Sequence, residues 1–131
     1  MQKRTASFTF FCLEIKQFTK LIGAYGVTVS DQLLKSFFTE LYRYMNTQGE
    51  VARLHVDQFV VLVNQNETLA AEETFTLFLE RLSAAPFLLE GRSIQVSVLA
   101  TIVVQGMVDN VLDVMDTVEV SMQESGSKAK R

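Results

Sequence analysis

Cysteine is nearly missing from this chain: Cys12 stands alone among 131 residues, so no internal disulfide can form. Its place in an apolar run reads as a buried thiol, in keeping with a reducing cytoplasm. Proline is as scarce, with Pro86 the one example, and no linker, repeat or low-complexity block divides the sequence. No apolar stretch reaches the roughly 18 residues that a spanning helix needs, and Met1-Gln2-Lys3-Arg4 is not followed by a signal-peptide pattern. Positive charge is in deficit: 12 Lys and Arg against 15 Asp and Glu leave a formal charge of −3, and the cations gather at the ends, in Gln2-Lys3-Arg4 and Lys128-Ala129-Lys130-Arg131. A nucleic-acid face needs clustered cations and is not expected; nor is direct membrane contact. Residues 1–131 read as one domain with one core, cytoplasmic or the cytoplasmic part of a membrane protein.

Hydrophobic periodicity supplies the elements. Residues 7–15 are apolar on both alternating faces, as in a central strand covered by helices on one side or both. Glu14 interrupts them. It either emerges at the strand's carboxyl end, where loops build sites, or is a solvated strand-end residue. Phe18, Leu21, Ile22 and Tyr25 keep helical spacing until Gly23 and Gly26 break it. Ser30 is placed to cap a second helix with the stripe Leu33, Leu34, Phe37, Phe38, Leu41 and Met45, a stripe that reads as core rather than cofactor box. In residues 51–63, two apolar runs flank His55, Val56 and Asp57, a β-hairpin with a carboxylate at its tip.

Asn66 offers a cap for a helix through Arg81 that carries Ala71, Phe75, Phe78, Leu79 and Leu82 on one face. Its acidic Glu67, Glu72 and Glu73 suit the positive helix end and need no ligand to explain them. Glu90-Gly91 reads as a turn between Phe87-Leu88-Leu89 and a strand over 94–104 that Gly106 ends; Val108, Val111, Met115, Val118 and Met122 mark a last helix. This order predicts an α+β, ferredoxin-like βαββαβ domain, an antiparallel sheet in the order 4-1-3-2 with flanking helices and room for an extra hairpin strand. Such a sheet brings Glu14 beside Asp57. Two converging carboxylates either hold a hard divalent ion with a phosphate ligand or form a like-charge pair kept apart by solvent.

The run Arg53-Leu54-His55-Val56-Asp57-Gln58-Phe59 resembles the R-x-G-G-D-E-F signature of GGDEF domains, the bacterial diguanylate cyclases that join two GTP into cyclic di-GMP. Residues 11–25 are similar to the family's D-x-D-x-F-K-x-x-N-D-x-x-G stretch through Glu14, Phe18 and Gly26, and Ser30-Asp31-Gln32-Leu33-Leu34 to its G-D-x-x-L. The strand over 94–104 and Glu124-Ser125-Gly126 also fall in step, so the resemblance spans nearly the whole chain and implies a nucleotide-cyclase palm.

The departures from the pattern concentrate at the implied site. His55 and Val56 replace two glycines that let the backbone approach GTP phosphates, and Gln58 replaces the catalytic Glu. Ile22 stands for the base-reading Asn, although its partner Asp31 is kept. The triphosphate-holding cations fall at Thr19, Gln123 and Ser127, with Lys16, Lys20 and Lys128 nearby in sequence; the inhibitory R-x-x-D falls on Asn46-Thr47-Gln48-Gly49. Glu14 and Asp57, with the Ile15 carbonyl, are what the resemblance leaves for a metal. The family's opening D-x-L-T-x-L-x-N-R turn and helix are missing, which implies a domain trimmed from a larger protein beside a sensor or EAL-type domain.

These departures predict a domain that is not an enzyme and needs no cofactor: a catalytically inactive GGDEF-like regulatory or dimerising module in cyclic di-GMP signalling, acting on a neighbouring domain or partner protein. The alternative is an allosteric receptor that holds GTP and Mg²⁺ on Glu14, Asp31 and Asp57 without turnover. The third is a residual diguanylate cyclase, which would need a homodimer to bring two GTP together. A lone His at a hairpin tip, such as His55, is expected to serve neither catalysis nor pH sensing.

Overall fold

The computed structural model describes residues 6–108. Strand β1 (Ala6–Ile15) is followed by the long helix α1 (Phe18–Met45), the hairpin β2 (Gly49–His55) and β3 (Gln58–Asn64), a single 3-10 turn at Gln65–Glu67, and helix α2 (Thr68–Ala84). The short hairpin β4 (Phe87–Leu89) and β5 (Arg92–Ile94) precedes the closing strand β6 (Val98–Val108). The main sheet has the order β2-β3-β1-β6 with every pair antiparallel, and β4 and β5 form a separate two-stranded sheet. With β6 counted as fourth strand, this is the expected 4-1-3-2.

β1 is apolar on both faces because it is covered on both. Phe11, Leu13 and Ile15 point into the main core with Phe59, Val61 and Val63 of β3, whereas Phe10 and Cys12 point the other way beside Val60. Phe37 of α1 ties the helical side together: its ring centroid lies 4.9 Å from that of Phe59, 5.6 Å from Phe78 of α2 and 6.4 Å from Phe87 of β4. Truncating such a ring to Ala costs about 3–5 kcal/mol. Among the described residues no helix is long and apolar enough to cross a membrane.

Several local expectations are corrected. Gly26 does break α1, with φ 87° and ψ 167°, but the helix resumes immediately after it, so Ser30 lies within the helix and is not its cap. The repeat Val29, Leu33, Phe37, Leu41, Met45 turns that face to the core, and Ser30 is buried beside it. Asn66 falls in the 3-10 turn. Thr68 secures the start of α2 instead, with its hydroxyl donating to the Gln65 carbonyl at 2.7 Å and lying 2.7 Å from the hydroxyl of buried Thr9.

The expected single strand over 94–104 is divided. After β5 the backbone crosses to the main sheet, guided by a Gln95 Nε2 bond to the Leu82 carbonyl at 2.6 Å and a Lys16 N–H bond to the Ser97 carbonyl at 2.8 Å. β6 then runs through Gly106: Phe8 pairs with Gln105 and Ser7 with Met107, so Gly106 is the extra residue of a β-bulge rather than a strand end. Val108, expected to open a last helix, closes β6; the rest of that helix through Met122, together with Gln123, Glu124-Ser125-Gly126, Ser127 and both basic ends, lies outside the described residues.

Candidate functional site

The tip of the β2–β3 hairpin is a two-residue turn, Val56-Asp57, between the paired residues His55 and Gln58. Two-residue hairpins favour turns with positive φ, because their twist then matches that of the strands. The β4–β5 turn obeys this, with Glu90 at φ 50° and Gly91 at φ 76°, but neither Val56 nor Asp57 has a positive φ. The mismatch is taken up by an irregularity in β2, where Arg53 pairs with Phe59 and His55 with Gln58, leaving Leu54 over.

Arg53 holds this distorted tip. Its Nε donates to the His55 carbonyl at 3.1 Å and its Nη2 to the Val56 carbonyl at 2.9 Å, while the guanidinium carbon lies 6.0 Å from the Phe59 ring centroid. The Val56 side chain is 55% exposed at the apex. The place where the resemblance implies bare glycine backbone is therefore filled by side chains, and two of its carbonyls are engaged. In the sequence Arg53 stands as part of the signature, and nothing in the residue types marks this bracing.

The structure brings the backbone of the two candidate metal ligands together. The Ile15 N–H donates to the Asp57 carbonyl at 2.9 Å, which pins the hairpin tip to the end of β1, and Glu14 pairs directly across from Gln58. Glu14, Asp57 and Gln58 are all half-buried. The Gln58 Oε1 is buried and finds no hydrogen-bond partner among the described residues. An amide tolerates such a place far better than a carboxylate would. Glu14, Asp57 and the Ile15 carbonyl are the oxygens that could serve a divalent ion here; no group of three or more His, Cys, Asp or Glu among the described residues could hold one.

Asp31 belongs to α1. It lies beyond the Gly26 break, 60% exposed, with Lys35 Nζ at 3.9 Å one turn further on. Ile22, on the other side of the break, packs against the core. Thr19, Lys16 and Lys20 are exposed.

The family model for the GGDEF domain of diguanylate cyclases matches residues 1–131. A search of curated proteins returns no match. Among solved structures, an EAL/GGDEF domain protein from M. capsulatus superposes with a TM-score of 0.75 at 23% identity, covering 94% of this chain and 80% of that one. The FimX GGDEF domain from Pseudomonas aeruginosa gives 0.76 at 17% identity, over 94% and 76%. The active GGEEF domain of a diguanylate cyclase from Vibrio cholerae gives 0.59 at 12% identity, over 75% of this chain and 63% of that one, less than two-thirds of its length. These likenesses establish the cyclase-like fold, and with the family match extending over every residue the chain belongs to the GGDEF domains, the diguanylate cyclase family of cyclic di-GMP signalling.

Proposed function

We propose that this GGDEF domain is catalytically inactive and serves as a regulatory or interaction module in cyclic di-GMP signalling, acting on a sensor domain, an EAL-type domain or a separate partner protein. The observation that carries this reading is the glycine-free hairpin tip. Phosphate approach to backbone N–H groups needs small residues; here His55 and Val56 carry side chains where the family signature has glycines, with Val56 exposed at the apex.

The chemistry of position 58 supports the same conclusion. A general base needs a group that can take up a proton, and a hard divalent ion is held best by negative oxygen; Gln58 supplies a neutral amide directly across from Glu14. Guanine reading is reduced as well, because Ile22 has no hydrogen-bonding group and Asp31 is offset by Lys35. We assign no resident cofactor.

The retained Glu14 and Asp57, held at one corner by the Ile15–Asp57 backbone bond, favour one second reading, a GTP and Mg²⁺ receptor without turnover. One titration separates the two. Calorimetry of the domain with GTP and Mg²⁺, and separately with cyclic di-GMP, is expected to be silent for an interaction module. Saturable GTP binding that Asp57→Asn abolishes would replace it by the receptor. Cyclic di-GMP formed from GTP would overturn both.

A further inference from the structure

Helix α2 buries Ala71, Phe75, Phe78 and Leu82, and the opposite side faces solvent with an unusual composition. Leu69 is 79% exposed and Leu77 56% exposed. Glu73 lies one turn from each of them, Glu80 one turn beyond Leu77 and Glu72 alongside, all exposed. An exposed helix face normally pairs such carboxylates with cations at i+4, but here those positions are Thr76, Leu77 and Ala84. Near the end of the stripe a shallow hollow of about 360 Å³ opens beside Glu80, Ser83 and Ala84.

The one cation of α2 is turned away from this face. Arg81 donates to the Glu40 carboxylate at 3.0 Å and to the Ala85 carbonyl at 3.1 Å, with its guanidinium carbon 4.6 Å from the Phe87 ring centroid. What remains outside is a stripe about 20 Å long that combines apolar knobs with a single sign of charge.

We propose that this face of α2 docks a basic amphipathic helix of a partner protein. Leucines of the partner would cover Leu69 and Leu77, and its Lys or Arg would meet Glu72, Glu73 and Glu80. Charge complementarity selects this occupant. A second copy of the same face would set carboxylates against carboxylates, and nucleic acid carries the wrong sign. The proposal rests on the regulatory reading in one respect, that the domain's output passes through protein contact.

The test is a fluorescence-polarisation titration of the full chain with a labelled helical peptide of about 15 residues built from Ala, Leu and Lys, with Leu and Lys sharing one face. Control peptides replace Lys by Glu, or Leu by Ala. The expected result is saturable micromolar binding of the Leu–Lys peptide alone. It should weaken at least about tenfold in Leu69→Gln/Leu77→Gln and in Glu73→Lys/Glu80→Lys, two surface variants with unchanged melting temperature.

Four outcomes overturn it: no binding at millimolar peptide, equal binding of the Leu-free peptide, binding that survives both variants, or binding that emerges only after residues 128–131 are removed, which would give the face to the chain's own basic tail. Failure here is distinguishable from failure of the regulatory reading. GTP turnover would end that reading and leave this surface intact, whereas peptide silence would remove the surface and restore no catalysis.

Discussion

Gln58 and Glu14 face each other across adjacent strands, where side chains of paired residues start about 5 Å apart. A carboxylate at position 58 would meet a like charge and a buried place without a hydrogen-bond donor, so both desolvation and repulsion would raise its pKa. A raised folded pKa leaves stability intact below the unfolded carboxyl range and removes it as pH rises through the folded value. Gln58→Glu is therefore expected to cost about 1–3 kcal/mol at pH 7 and almost nothing near pH 4, in urea titrations at both pH values. Rescue of the pH 7 loss by millimolar Mg²⁺ would show that the corner still takes a cation, against the interaction-module reading. Cys12 obeys the same sign, two residues before Glu14 on the same face of β1. Burial pushes its thiol from 9.0 up to about 12, so it contributes stability at neutral pH that begins to be lost above pH 9. Against Cys12→Ala, the wild type should lose about 1.4 kcal/mol more per pH unit in that alkaline window, and a parallel pair of stability curves would contradict the buried thiol.

Three glycines show how differently one residue type acts within an element. Gly23 sits inside α1 with open space around it, so Gly23→Ala should stabilise by about 0.5–1 kcal/mol through helix propensity. Gly26 also has open space, but its φ of 87° is strained for any other residue, and Gly26→Ala should cost about 1–2 kcal/mol. At Gly49, the start of β2, an added Cβ would run into the Leu62 backbone carbonyl of β3, and Gly49→Ala should cost about 1–3 kcal/mol with faster hydrogen exchange along β2. Urea midpoints of the three variants give the signs directly. The break at Gly26 was legible because it interrupts a clear helical period; the restart was not, because Ser30 has the chemistry of a cap but the spacing of the core face. Asn66 and Thr68 are both short polar residues, and only contact with Thr9 of β1, far away in sequence, singles out Thr68. Gly106 likewise reads as a stop until its pairing with β1 makes it a bulge.

At the scale of the molecule, strand order was legible because the alternation and crossover rules leave few sheets, and that order already placed the ends of β1 and the hairpin together, as the Ile15–Asp57 bond bears out. The bracing by Arg53 was not legible, since it depends on a turn conformation that the residue types alone do not fix. A nucleotide site on this fold would draw on separate parts of the chain at once: the hairpin tip, the corner at Glu14, the segment around Ile22 and Asp31, and the positions of Thr19, Gln123 and Ser127 where the family resemblance implies cations. Groups that act as a unit are lost and regained together, so repairing one part returns little of the whole. The combined variant His55→Gly/Val56→Gly/Gln58→Glu rewrites the tip to the family signature while leaving the other parts as they are. It is expected to form no cyclic di-GMP from GTP and Mg²⁺ by chromatography, and to be less stable than the parent by about 2–5 kcal/mol at pH 7, from two glycines of greater backbone freedom and one buried carboxylate. Product above the parent's level would place the whole deficit in the hairpin tip and make the domain a cyclase silenced at three residues.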